Sequence, residues 1–264
     1  MLLILLLVAF FASIAGAICG IGGGVIIKPV LDLFQVAGVS TISFLSGCTV
    51  LSMSCYSVLK SILAKESSID FKTGTPLAVG AAIGGVAGKN LFQLIKDASP
   101  NPELVGGYQS ICLAVITIAM LIYTLYRSKI KTYHMEHPLI CVIIGAFLGI
   151  MSSFLGIGGG PINLGVLFFF FSMDMKKAAQ NSLYIILISQ ATSLLTTLIT
   201  RTVPAFELPW LLVMVSGGIA GGIAGRKINK KIDEAAVNKL FLVLMAVIIL
   251  ISFYNTYRYF STAA

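Results

Sequence analysis

Residues Cys19-Gly20-Ile21-Gly22-Gly23-Gly24 return almost unchanged as Leu155-Gly156-Ile157-Gly158-Gly159-Gly160. Each copy is embedded in apolar sequence and is followed by a short apolar run that contains a proline, Pro29 in the first copy and Pro161 in the second. Glycine adopts positive φ angles easily and permits close approach of another group, so the pattern predicts a turn whose amide groups face whatever is bound there. Inside a membrane such amides need a hydrogen-bond partner, and a bound anion supplies one.

The composition predicts an integral membrane protein built of α-helices. Of the 264 residues, 58% are hydrophobic and only 11% are charged, and the apolar stretches are long enough to cross a bilayer. The net charge of +8 arises mainly from Lys and Arg in short loops between apolar segments, which indicates membrane orientation rather than nucleic-acid binding. The five cysteines lie within apolar segments without CxxC spacing, so we expect neither a disulfide framework nor a metal site.

Two motifs indicate that the chain is duplicated. The GIGGG turns are 136 positions apart, and the blocks Gly84-Gly85-Val86-Ala87-Gly88-Lys89 and Gly221-Gly222-Ile223-Ala224-Gly225-Arg226 are 137 positions apart. Because two separate motifs keep nearly the same register, we expect two structural repeats, residues 1–126 and 138–264. A charged connector, residues 127–137, joins them within a single membrane domain. We expect the second motif to serve close packing between helices.

The distribution of positive charge predicts how the two halves are oriented. If each first helix and the short run after its glycine turn enter and return as a pair, 13 Lys and Arg residues fall on one side of the membrane and four on the other. If the short run makes no crossing, the counts are 9 and 8. The first arrangement fits the positive-inside rule. It makes the halves inverted repeats, each with a glycine-turn helical hairpin or broken helix plus three spanning helices, with both termini outside. Ten crossings, or six plus two re-entrant hairpins, satisfy it equally.

The predicted site binds an anion between the two turns, helped by helix N-terminal dipoles. Lys28 is expected to supply a formal charge, and Asp32, four residues later on the same helical face, to carry a coupling proton. A mutually neutralised pair that reaches the membrane interface is an equally open interpretation of Lys28 and Asp32. The expected donors are the amides of Gly22, Gly23, Gly24, Gly158, Gly159 and Gly160 and the side chains of Ser46, Thr49, Asn181, Ser182 and Gln190, although small and hydroxylated residues also serve simply for helix packing.

In its two GIGGG turns, the short apolar runs, the GG(V/I)AG(K/R) blocks and its length, the chain resembles the TauE/SafE family of sulfite exporters over essentially its whole length. The resemblance implies a bacterial or archaeal inner-membrane carrier of small sulfur-containing anions such as sulfite, sulfonates or sulfoacetate, coupled to a gradient of H⁺ or Na⁺. The family places a proline a few residues after each glycine turn. Pro29 fits this pattern, whereas Pro161 follows the glycines directly and Gly165 lies nearer the usual place, so we expect the second turn to differ in shape.

Two other classes of function compete with a carrier. A non-transporting membrane scaffold or assembly factor would account for apolar helices and small-residue packing, but it has no use for two glycine turns aimed at one place. An intramembrane enzyme would need paired acids, a histidine cluster or a Ser/Lys dyad within its spans, and the spans show no such pattern. We therefore expect no enzymatic activity and no cofactor, with the anion, the coupling ion and membrane lipid as the partners.

Overall fold

The computed structural model describes residues 1–99 and 102–263, and this part of the chain forms ten α-helices and no β-strand. Pro100, Asn101 and Ala264 belong to the predicted repeats but lie outside the described residues. The helices are α1 (Leu2–Cys19), α2 (Gly24–Leu33), α3 (Val39–Leu63), α4 (Phe71–Ala98), α5 (Pro102–Tyr126), α6 (Pro138–Leu155), α7 (Pro161–Phe171), α8 (Met175–Ile199), α9 (Leu208–Lys231) and α10 (Glu234–Ala263).

Eight helices in the described ranges are long and apolar enough to cross a membrane, which confirms the prediction of an all-α polytopic membrane protein. The exceptions are α2 and α7, of 10 and 11 residues. At 1.5 Å per residue they are about 15–17 Å long, roughly half the hydrocarbon thickness of a bilayer. The count of eight includes α1 and α6, which are 18 residues long and which were predicted to pair with the short runs after the glycine turns.

The duplication seen in the sequence recurs in the packing of the helices. Helix α4 packs against α6, and their sequence counterparts α9 and α1 pack against each other. Within these interfaces Gly84 faces the backbone carbonyl of Ala146, and its counterpart Gly221 faces the carbonyl of Phe10. Phe10 and Ala146 are 136 positions apart, so this contact in one half has an equivalent in the other.

Glycines in the repeated blocks bring the helix backbones into direct contact. A Cβ atom on Gly84 would overlap the carbonyl of Ala146 and would lie 2.7 Å from its carbonyl carbon. A Cβ on Gly221 would overlap the carbonyl of Phe10 and would lie 2.7 Å from the Cβ of Ser13. Only glycine permits this approach, so the blocks serve close helix packing as the sequence predicted.

Helices α1, α3 and α9 run in the same direction. Gly217 and Gly225 of α9 contact residues 6 and 14 of α1, and Gly218 and Gly222 contact residues 49 and 53 of α3, so position numbers rise together along all three helices. Because α1 and α3 are parallel, the chain must turn back between them. The first glycine turn and α2 make this return: a Cβ on Gly16 would lie 2.5 Å from the amide nitrogen of Gly23, so α2 starts part-way back along α1.

Helix α3 and its counterpart α8 run antiparallel. Ser61 near the end of α3 bonds Gln180 near the start of α8, whereas Gly47 in the first half of α3 packs against Leu194 in the second half of α8. Equivalent helices of the two sequence repeats therefore point in opposite directions where they cross.

Polar contacts between loops and helix termini divide the molecule into two ends. At the basic end Arg226 binds Glu66, Arg127 donates to the carbonyl oxygen of Met173 at 2.7 Å, and Ser61 meets Gln180. The opposite end is held by bonds from Thr41 to the carbonyl of Ala205, from Lys96 to Ser40 and from Arg258 to the carbonyl of Leu33.

Candidate functional site

The two glycine turns begin with the same backbone conformation. Gly20 and Gly22 have φ angles of 74° and 68°, and their counterparts Gly156 and Gly158 have φ angles of 66° and 71°. These values lie in the left-handed region that residues with a Cβ rarely adopt. The repeated sequence therefore forms the repeated turn for a steric reason.

The turns diverge after their second glycine. Gly23 has a right-handed φ of −63° and caps α2, whereas Gly159 and Gly160 have φ angles of 132° and 91°. Pro161 is the first residue of α7, where its missing N–H costs nothing, and it disfavours helical geometry in the residue before it. Helix α7 thus starts one position later than α2, which confirms that the second turn differs in shape.

The two turns meet inside the protein. A Cβ on Gly24 would overlap the carbonyl oxygen of Ile157, and a Cβ on Gly160 would lie 3.3 Å from a methyl group of Val25. The counterparts Val50 and Ile186 flank the meeting point, each within 3.4 Å of the Cβ position of Gly22. The same two side chains pack against the second turn, where a Cβ on Gly159 would lie 2.7 Å from Ile186 and a Cβ on Gly158 would lie 3.5 Å from Val50, so aliphatic side chains cover the meeting point of both turns.

The second turn forms the inner end of a cavity of about 370 Å³ that opens at the opposite end of the molecule and that we call the turn cavity. Its lining includes two lysines, Lys89 and Lys96, and no Asp or Glu among the described residues. Lys89 donates to Thr197, and Lys96 donates to Ser40 at 2.8 Å. The lining residues are Ser40, Ser43, Phe44, Gly47, Lys89, Phe92, Gln93, Lys96, Gln109, Ser152, Ser153, Gly156, Gly158, Gln190, Ser193, Leu194, Thr197, Thr202, Val203 and Pro204.

Polar groups converge where the turn cavity meets the second turn. The amide group of Gln190 lies between Gly158 and Gly47: a Cβ on Gly158 would overlap Nε2, and a Cβ on Gly47 would lie 3.6 Å from Oε1. The Ser43 hydroxyl is buried without a hydrogen-bond partner in the described structure and lies beside Gly156. Among the described residues, the amides of Gly158, Gly159 and Gly160 donate no backbone hydrogen bond, and the same holds for Gly22, Gly23 and Gly24 of the first turn. Ser43, Gly158 and Gln190 line the turn cavity and so place several polar groups around one small volume.

Lys28 lies directly beneath the second turn although it belongs to the first repeat. Its Nζ donates to Gln109 Oε1 at 2.5 Å and to the carbonyl oxygen of Leu155 at 2.7 Å, and it is 3.3 Å from the Cβ position of Gly156. The Leu155 carbonyl ends α6, where the partial negative charge of the helix dipole attracts a cation. The buried ammonium therefore adds positive charge beside the turn.

Gln109 was not predicted from the sequence, and it connects Lys28 with the turn cavity. Its Oε1 accepts from Lys28, its Nε2 donates to the carbonyl of Phe154 at 2.5 Å, and its side chain lines the cavity. A buried glutamine in an apolar helix was the available signal. Ser43, Ser152 and Ser153 were also missed as site residues.

Asp32 faces a different cavity of about 370 Å³, which lies at the same end of the molecule as the turn cavity. The residue is 7% exposed, and its Oδ1 has no hydrogen-bond partner among the described residues. Asn255, Arg258 and Tyr259 line the same cavity, and Arg258 also donates to the backbone carbonyls of Asp32 and Leu33 at 3.2 and 2.6 Å. Asp32 is not among the lining residues of the turn cavity, but together with Lys28 and Gln109 it lines a small pocket beside Leu155.

The structure does not bring Thr49 and Asn181 to the glycine turns. The Thr49 hydroxyl donates to the carbonyl of Leu45 in its own helix at 2.8 Å. Asn181 fixes the loop before α4, since it accepts from the amide of Asp70 at 2.9 Å and donates to the carbonyl of Ser68 at 3.2 Å. Satisfied hydroxyl and amide groups of this kind serve structure rather than a ligand.

Ser46 and Ser182 are counterparts, and both hydroxyls are buried without a partner in the part of the chain described. Ser46 lies beside Gly24, with its Oγ 3.1 Å from the Cβ position. Of the side chains predicted as donors, Gln190 lines the turn cavity, whereas Ser46 and Ser182 are not among its lining residues.

Comparisons with known proteins identify the family of the chain. The sequence profile of a family described as "Sulfite exporter TauE/SafE" matches residues 5–251. The chain is also similar to the "Probable membrane transporter protein YunE" of Bacillus subtilis (strain 168), with 24% identity over 214 residues that cover 72% of this chain and 75% of the relative. A match over nearly the whole chain establishes membership, so this protein belongs to the TauE/SafE sulfite exporter family, a family of membrane transporters and not of enzymes.

Proposed function

We propose that the protein carries a small sulfur-containing anion of the sulfite, sulfonate or sulfoacetate type across the inner membrane by alternating access. The observation that carries this proposal is the turn cavity, whose described lining combines two lysines with hydroxyl and amide donors and lacks acidic residues. An oxoanion needs several donors and positive potential, because charge-assisted hydrogen bonds replace its hydration shell. A volume of about 370 Å³ suits a small anion with a few water molecules.

The second glycine turn is the proposed binding surface. Free amides at a turn before a helix bind anions through their N–H groups and through the helix dipole. Gln190 and Ser43 add side-chain donors, and Lys28 adds a positive charge beside Gly156. The first turn, with Gly22, Gly23 and Gly24, is proposed as the equivalent surface in the alternate state of the carrier.

The proposed topology is that of two inverted repeats, residues 1–126 and 138–264, within one membrane domain. The antiparallel crossing of α3 and α8 and the exchanged packing of α1 with α9 and of α6 with α4 support it. By the positive-inside rule the basic end is proposed to face the cytoplasm, with both termini outside. The turn cavity then opens to the outside.

Coupling to H⁺ or Na⁺ is proposed to involve Asp32. Asp32 is 7% exposed and its Oδ1 has no hydrogen-bond partner among the described residues, so this oxygen is free to accept a proton or a cation, while the positive charges of Lys28 and Arg258 act on the same carboxylate. Its cavity opens at the same end as the turn cavity, so both ligands would enter from one side.

The test is sulfite uptake by the protein reconstituted in lipid vesicles, compared with a Gln190→Leu variant. A lost hydrogen bond to a charged group costs about 1.5–3 kcal/mol, so we expect flux to fall about 10-fold to 100-fold. Ser54→Ala is the matched control, because Ser54 occupies the position equivalent to Gln190 and donates to the carbonyl of Leu51 in its own helix. Correctly inserted protein without sulfite flux would instead favour a non-transporting scaffold.

A further inference from the structure

A second cavity, of about 330 Å³, lies at the basic end between α1, α3, α8 and α9, and we call it the inner vestibule. Each of its eleven lining residues has a counterpart 136 or 137 positions away that lines the turn cavity. Arg226 corresponds to Lys89, for example, and Glu66 corresponds to Thr202. The two cavities are therefore equivalent parts of the duplicated fold.

The inner vestibule and the turn cavity differ in the partner of their equivalent basic residues, Arg226 and Lys89. In the turn cavity Lys89 donates to the neutral hydroxyl of Thr197. In the inner vestibule the carboxylate of Glu66 accepts from Arg226 at 2.9 Å and pairs with Lys230. Among the described residues that line the inner vestibule, Glu66 is the one acidic residue.

The backbone holds Glu66 in this position from α3. Lys65 adopts a left-handed φ of 54°, and the amide of Glu66 donates to the carbonyl of Ser61 at 3.2 Å. The same turn recurs after α8, where Arg201 has a φ of 53° and the next amide makes the equivalent bond at 3.1 Å. At the basic end the repeated turn places the Glu66 carboxylate beside Arg226. At the opposite end the same turn places Thr202 in the equivalent position.

We propose that Arg226 and Lys230 form a second anion site, at which the transported oxoanion binds at the basic end, and that Glu66 is a tethered competitor for that site. The identity of the ligand rests on the proposed function. A guanidinium beside an ammonium binds a sulfite or sulfonate head as readily as a carboxylate, since both present oxygens that accept charge-assisted hydrogen bonds.

The exposure of the ion pair permits this exchange. Half of the Glu66 side chain is exposed, and exposed ion pairs are weak because water competes for both partners. The hydrogen bond from Lys230, together with the charges of Lys230 and Arg226, lowers the pKa of Glu66, so the competitor stays ionised near neutral pH. An arriving anion therefore replaces one negative group by another.

The test is calorimetric titration of the full-length protein in lipid nanodiscs with sodium sulfite, and separately with sodium sulfate, at constant ionic strength in gluconate. For Glu66→Gln we expect a Kd about two- to fivefold lower than that of the unaltered protein, as release of an exposed ion pair allows. Adding Arg226→Gln to Glu66→Gln should weaken binding about tenfold, because the guanidinium supplies the main charge-assisted bonds.

The matched control is Glu136→Gln, which removes the same charge from an exposed pair with Lys72 at the same end of the molecule. The proposal is overturned if Glu66→Gln leaves both Kd values unchanged, if the gain survives Arg226→Gln, or if Glu136→Gln gives the same gain. Failure of the proposed function has a different signature, namely vesicle flux of sulfite that does not depend on Gln190. Tighter binding of sulfate by Glu66→Gln would support the site even then.

Discussion

Helices α2 and α7 follow the two glycine turns at equivalent places in the duplicated fold, but two positions that are charged in α2 are apolar in α7. Helix α2 holds Lys28 and Asp32, both buried, and the counterparts in α7 are the buried Leu164 and Phe168. The long helices show no such contrast where Gly84 and its counterpart contact neighbouring carbonyls in the same way. The packing of the two halves is kept alike, while charged residues in the short helix after the glycine turn are confined to the first half.

The arginines near the C-terminal ends of α5 and α10 show the same contrast. Arg258 in α10 donates to the backbone carbonyl of Asp32 at the end of α2. Arg127, just after α5, lies 4.0 Å above the ring of Phe168 in α7 and donates to the carbonyl of Met173. The arginine fastens a short helix in both halves, but only in the first half does it lie beside a carboxylate. Buried Lys28 and Asp32 thus belong to the first half, whereas the turn that borders the turn cavity belongs to the second half.

The largest effect is expected where the two halves are alike. Gly84→Val and Gly221→Val should each lower the free energy of unfolding by about 3 kcal/mol or more, because each new side chain would overlap a backbone carbonyl of the neighbouring helix. Thermal unfolding of the detergent-solubilised protein, followed by size-exclusion chromatography, measures this loss.

Gly38→Ala is the control for these substitutions. A Cβ on Gly38 meets no heavy atom within 4 Å, and its φ of −63° suits any residue, so the melting temperature should be unchanged or slightly higher. If only one of the two valine variants were destabilised, the packing of the two halves would not be equivalent.

The sequence predicted the parts of this structure that depend on local sterics. Left-handed glycines, span-length apolar runs and the shift between the halves follow from residue type and spacing alone. The altered second turn was also predictable, since Pro161 restricts Gly160. The number of span-length helices was not predictable, because the charge counts indicate only which side of the membrane each loop faces. They leave open whether α1 is long enough to span.

The site itself depends on contacts between distant parts of the chain. Lys28 belongs to the first repeat but bonds Leu155 in the second, 127 positions away, and Gln109 completes that contact. Asn181 was expected to be a ligand donor, and in the structure its side chain bonds the loop at Ser68, 113 positions away. Spacing along a helix cannot reveal which polar groups are already satisfied by remote backbone.

The contrast between α2 and α7 gives a second, intermediate prediction. Lys28→Met removes the ammonium beneath the second turn and leaves Gln109 Oε1 and the Leu155 carbonyl without their donor. We expect sulfite uptake in vesicles to fall about tenfold, equivalent to about 1.4 kcal/mol. Leu164→Met is the matched substitution in α7, where a volume-conserving apolar change should leave uptake within about twofold. Equal losses in both variants would show that helix packing, and not charge, is what Lys28 provides.

The smallest effect is expected at the residue that makes the two turns differ. Pro161→Ala should lower the free energy of unfolding by only about 0.4–1 kcal/mol, because the native φ suits alanine and the main change is greater freedom of the unfolded chain. Pro138→Ala is the control, since Pro138 also begins a helix but lies far from the turn. A small and equal drop in melting temperature for both variants, with uptake unchanged, would mean that the glycines alone set the shape of the second turn. A selective loss of uptake in Pro161→Ala would instead show that the later start of α7 is what keeps the amides of Gly159 and Gly160 in place, and that the asymmetry of the carrier depends on one proline.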